Sequence, residues 1–76
     1  MKRYQSEIMR HVNTQSGKVT YYIKKCDVFT RISKAEYESI YDDADGFSCM
    51  FTHTQRNRKG EIVAFRHYIT AIFEYG

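Results

Sequence analysis

The sequence predicts an α+β domain, a four-stranded antiparallel sheet carrying one helix on a face, in the order ββαββ. Three observations lead there. Apolar residues favour alternate positions in four separate runs, the spacing of half-buried strands. Between the second and third runs lies a helix-start signature. Aromatic residues make up 16% of the chain, 7 Tyr and 5 Phe, and each buries about 150–250 Å², so 76 residues can build one core but not two. Residues 1–76 therefore read as a single domain.

From Arg3 to Val12 the apolar residues Tyr4, Ile8 and Val12 fall on even positions, with Ser6 and Arg10 the exceptions, which suits a half-buried strand. Asn13-Thr14-Gln15-Ser16-Gly17-Lys18 reads as a turn. The run Val19 to Cys26 is rich in β-branched and aromatic residues and places Val19, Tyr21 and Ile23 on one face, so the first two strands are expected to form a hairpin.

Ser33-Lys34-Ala35-Glu36 matches the S-x-x-E capping box, with Ile32 and Tyr37 in the two positions of a hydrophobic staple. A helix starting at Lys34 sets Ala35, Tyr37, Ile40, Tyr41 and Ala44 on one side and most of Glu36, Glu38, Asp42, Asp43 and Asp45 on the other. Gly46 is its expected stop. The three aspartates crowd the end where the helix dipole is already negative, which weakens the last turn.

Phe47 to Thr54 alternates again, Phe47, Cys49 and Phe51 against Ser48, Met50 and Thr52, and a basic turn Gln55-Arg56-Asn57-Arg58-Lys59-Gly60 follows. Glu61 to Tyr75 alternates throughout, with Val63, Phe65, His67, Ile69, Ala71, Phe73 and Tyr75 sharing a face. At about 3.3 Å per residue such a strand reaches on the order of 50 Å, more than a compact domain of this size spans. It is expected either to bend at a bulge or to project into a partner, and a homodimer through this last strand is the corresponding expectation.

Net charge is +3, unevenly distributed. Residues 1–31 carry seven basic residues against two acidic, residues 32–46 one against five, and residues 47–76 four against two. No apolar run approaches the roughly 18 residues that span a bilayer, and the polar start Met1-Lys2-Arg3-Tyr4-Gln5-Ser6-Glu7 is unlike a signal peptide. The expectation is a cytoplasmic protein without membrane contact, in which Cys26 and Cys49 stay reduced and partly buried.

Metal binding and catalysis find little in the spacing. No two cysteines and no two histidines lie within zinc-ligand distance of each other in sequence, and Cys49 and His53, four apart, sit about 13 Å apart on a strand. There is no phosphate-binding glycine loop and no nucleophile elbow. No catalytic residue, metal or cofactor is assigned, and the chain reads as a binding protein. Two surfaces are candidates. The acidic helix, through Glu36, Glu38, Asp42, Asp43 and Asp45, suits a protein partner of opposite charge. Alternatively Arg56, Arg58 and Lys59 at a hairpin tip, with Lys24, Lys25 and Tyr22, and Arg31 among further bases, suit a nucleic acid.

The chain's small size, its Tyr-rich alternating strands and the segment Thr30-Arg31-Ile32-Ser33-Lys34-Ala35-Glu36-Tyr37-Glu38 resemble the small accessory proteins of bacteriophages and mobile elements, among them anti-CRISPR and other anti-defence inhibitors. The resemblance implies a non-enzymatic inhibitor that occupies a surface of a host nucleoprotein or defence complex. It carries over no functional residue.

Overall fold

The structure, a computed structural model, describes residues 2–75. Its elements are β1 (Lys2–Asn13), β2 (Val19–Lys25), β3 (Val28–Ile32), α1 (Lys34–Asp43), β4 (Gly46–Arg56) and β5 (Ile62–Tyr75). The α+β class is as expected. The sheet, however, has five strands, not four, in the order β3-β2-β1-β5-β4, all antiparallel. The extra strand is β3. It is joined to β2 by a two-residue turn in which Cys26 and Asp27 hold φ of 50° and 66°. Hairpin turns of this hand normally use Asn or Gly, so a Cys-Asp pair conceals the reversal.

The first hairpin forms as expected, its loop held by the Asn13 carboxamide oxygen, which accepts from the amides of Gln15 and Ser16 at 3.0 and 3.1 Å. Gly17 takes φ +75° there, a conformation open to glycine at little strain. The β4–β5 turn repeats the device: the Asn57 side chain accepts from Lys59 and Glu61 amides at 2.9 and 3.0 Å.

Opposite residues in an antiparallel pair point to the same face, so the register assigns every side chain. Ile8 on β1 faces Ile69 on β5 and Ile23 on β2. These close the core with Tyr37 of α1, and Tyr21, Ile32, Ile40 and Phe47 pack around them. Tyr37 stacks at a tilt on Tyr21, centroids 4.8 Å apart, and Tyr41 on Phe47 at 4.7 Å. The capping serine behaves as the sequence indicates: Ser33 Oγ accepts from the Glu36 amide at 3.1 Å. The helix stops two residues before the expected glycine. Ala44 is its C-cap in an extended conformation, and Gly46 already begins β4. Asp45 sets this exit by accepting the Glu74 amide at 2.6 Å through Oδ2 and donating its own amide to the Ile72 carbonyl at 2.8 Å.

β3 and β4 are opposite edges of the sheet, so α1 carries the chain across its whole width. One helix covers one face, and among the described residues no element covers the other.

β5 runs unbroken for 14 residues, and β1 pairs with it from Lys2↔Tyr75 to Asn13↔Ala64. This corrects the expectation of a pairing edge at the last strand: β5 lies between β1 and β4, which flank it on both sides between Ala64 and Ile72. Beyond that level only the β1/β5 ribbon continues, with Tyr4 stacked on Phe73 at 4.8 Å and edge-on to Tyr75 at 5.7 Å. The long axis measures 51 Å. A radius of gyration of 14.1 Å exceeds the roughly 11 Å of a compact chain of this length.

Candidate functional site

The uncovered face is built from the residues that alternate away from the helix. Reading the registers across the sheet, one row holds Arg31, Tyr22, Met9, Tyr68 and Phe51 from β3 to β4. The next row, toward the Asn13–Lys18 loop, holds Thr20, His11, Arg66 and His53. Neither row contains an acid. On the other side of the aromatic row stand Phe29, Lys24, Glu7, Thr70 and Ser48. An aromatic row is thus bordered on one side by arginine and histidine.

The aromatic side chains here touch across strands. Tyr68 stacks on Phe51 with centroids 4.7 Å apart and meets Phe29 edge-on at 5.7 Å. β3 and β5 are separated by two strands, roughly 14 Å in a flat sheet at about 4.8 Å per interval. Only a sheet coiled toward this face lets Phe29 reach Tyr68. That curvature shelters Met9, 7% exposed, beneath the neighbouring rings. It also leaves a shallow cleft of about 200 Å³ bounded by Lys24, Phe29, Cys49, Phe51, Tyr68 and Thr70. Phe51 forms its outer wall and is 57% exposed.

Electrostatically the face is basic. Its charged residues are Arg3, Lys24, Arg31 and Arg66 against Glu7 and Glu74. Glu7 is engaged by Lys24, whose Nζ lies 3.0 Å from Oε2 and 6.0 Å above the Phe29 ring. The hydrogen bond to Glu7, reinforced by its charge, raises the Lys24 pKa above the ordinary 10.5. The helix is opposite in sign: Glu36, Glu38, Asp42 and Asp43 stand exposed against Lys34 alone. The molecule therefore has an acidic back and a basic, aromatic front.

The expected site residues fall on different parts of this frame. Glu36, Glu38, Asp42 and Asp43 share the solvent side of α1, whereas Asp45 is tied into the α1–β4 exit. Tyr22 and Lys24 lie on the open face, but Lys25 alternates to the helix side. Arg58 and Lys59 sit in the β4–β5 turn, at the far end of the sheet from Lys24 and Lys25. Arg56 closes that turn, donating from Nη1 to the Gly60 carbonyl at 2.8 Å. The six basic-site candidates thus do not form one patch.

The sequence reading missed Arg66, Tyr68 and Phe29. The first two belong to the other half of the β5 alternation, and Phe29 to the unrecognised strand. Phe51 was placed with Phe47, yet a register shift between Ser48 and Phe51, with Cys49 at φ 49°, turns the two rings to opposite faces. Cys26 and Cys49 are free thiols and exposed, not half-buried. Among the described residues no three His, Cys, Asp or Glu side chains converge as a metal site, and no helix is long and apolar enough to cross a membrane. Comparison with family models, curated proteins and solved structures returns no match.

Proposed function

We propose that the chain is a non-catalytic binding protein that takes single-stranded nucleic acid on the open face of its sheet. The observation that supports this most is the pairing of an aromatic row, Tyr22, Tyr68 and Phe51, with bases at Arg31 and Arg66, on a face free of helix. Base rings stack on sheet aromatics while cations follow the phosphates, a combination that tolerates any sequence. The acidic helix on the back orients the molecule, repelling the phosphate backbone from the wrong side.

Fluorescence anisotropy with a labelled single-stranded oligonucleotide at low salt tests the reading. Phe51→Ala is expected to weaken binding by about 1–3 kcal/mol. Arg31→Ala and Arg66→Ala are each expected to flatten the dependence of log K on log salt by about 0.7. Binding that is absent at low salt, or indifferent to all three changes, rejects it.

A second reading has support from the exposed carboxylates of α1. On it the protein occupies a basic surface of a host nucleoprotein or defence complex, in the manner of a phage anti-CRISPR inhibitor. The reversal Glu36→Lys/Glu38→Lys/Asp42→Lys/Asp43→Lys is then expected to abolish capture of that complex while leaving oligonucleotide binding intact. Capture unchanged by the reversal rejects this second reading.

A further inference from the structure

The two edges of the sheet are unequal. β3 is five residues long and carries Arg31. β4 is 11 residues long, and from Gly46 to Gln55 it contains neither a charged residue nor a proline. Every residue from Cys49 to Arg56 is exposed, Met50 at 54% and Phe51 at 57%. Sheet edges are ordinarily guarded by lysine, proline, shortness or a bulge. Irregularities between Ser48 and Phe51 and between Gln55 and Arg56 interrupt β4 on either side of one regular stretch. From Phe51 to Gln55 its pairing with β5 is regular, so the outward backbone groups of that stretch present a straight template.

The geometry points to a second copy of this chain pairing antiparallel along β4 about a two-fold axis, centred between Phe51 and Gln55. A second copy offers the same uncharged strand, so no like charges meet within the paired stretch, and antiparallel self-pairing supplies each outward N–H and C=O with a partner. The exposed surface, 5561 Å², exceeds the roughly 4,900 Å² expected of a compact monomer of 9.1 kDa, which leaves area for such an interface. An axis perpendicular to the sheet keeps both open faces on one side. The result is a ten-stranded sheet in which Phe51 of each copy lies beside Gln55 of the other, so that the two aromatic rows share one face, offset by about 13 Å along the strands. This pairing is independent of what the face binds.

Sedimentation equilibrium of the full chain in reducing buffer, which keeps Cys26 and Cys49 from cross-linking, reads the outcome. A mass twice that of the chain at high micromolar concentration is expected. Met50→Lys/Thr54→Lys, which places like charges along the seam without touching Tyr22, Tyr68, Arg31 or Arg66, is expected to give the single-chain mass. A monomeric wild type overturns the proposal, as does a dimer that the double substitution leaves intact. Should that variant lose its folded circular dichroism spectrum, hydrogen exchange of the wild type decides: β4 amides between Phe51 and Gln55 gain protection as concentration rises, or the proposal fails.

Discussion

Tyr37 is the only helix residue that is buried, and burial perturbs its phenol. Desolvation raises its pKa above the ordinary 10.0; the nearby Arg10 opposes this, and Tyr41 and Tyr21 add to it. The folded state therefore holds the phenolic proton more tightly than the unfolded state does. Stability from this source is complete below pH 10 and is lost as pH climbs through the higher folded value. The melting temperature is expected to fall steeply above pH 10, and Tyr37→Phe to flatten that fall. Lys24 contributes a component of the same sign, since its pKa is also raised, and Glu7→Gln removes it; an alkaline limb unchanged in both variants contradicts this account. Ile8, fully buried between Ile23 and Ile69, has no such polar role. Its replacement by Ala is expected to remove about 2–5 kcal/mol, measured by urea unfolding, which is most of what a domain this small has.

At the scale of elements, the turn between β2 and β3 carries avoidable strain. Two side-chain-bearing residues with positive φ cost on the order of 1 kcal/mol each, and Asn-Gly adopts the same turn readily. Cys26→Asn/Asp27→Gly is expected to raise the urea midpoint by an amount equivalent to about 1 kcal/mol; a lower midpoint shows that the observed turn conformation is unstrained. The same turn explains what the sequence left hidden. The alternation of β1, β2 and β5 and the Ser33 cap were legible because each is a local pattern with its own chemistry. β3 was not, because its entry carries Cys-Asp rather than the Asn-Gly signature and its five residues are too few to show a period. The faces of β4 were misread for a related reason: one irregular residue, Cys49, inverts the parity of everything after it. Of the candidate surfaces, the acidic side of α1 was legible from helical spacing. The open face was not, because Arg31, Arg66, Tyr22, Tyr68 and Phe51 come from four strands and are brought together by the sheet order alone.

The whole molecule is built around one long ribbon. β1 is paired with β5 from Lys2 to Asn13, and flanking strands accompany this ribbon from its Asn13 end as far as Ile8 on β1 and Ile72 on β5. Opening free energies should follow that gradient. Native-state hydrogen exchange is expected to be slowest at Ile8 and Ile69, faster along β4, and fastest at residues 2–5 and 73–75, where the ribbon stands without flanking strands; uniform protection along β5 contradicts a peripheral ribbon end. Charge follows a second gradient across the thickness, acidic at α1 and basic at the open face, so the two sides of one small scaffold differ in sign.

Pairing Lys2 with Tyr75 and Ile8 with Ile69 also places a demand on synthesis. The central seam joins the two ends of the described chain, so a ribosome must have made β5 before β1 can take its place in the sheet. Until then the hairpin β1–β2, with β3 beside it, exposes Ile8, Tyr21 and Ile23 without cover. Contacts this distant in sequence put folding toward the slow end of the range for small domains. Apolar surface exposed during that interval favours aggregation over solubility.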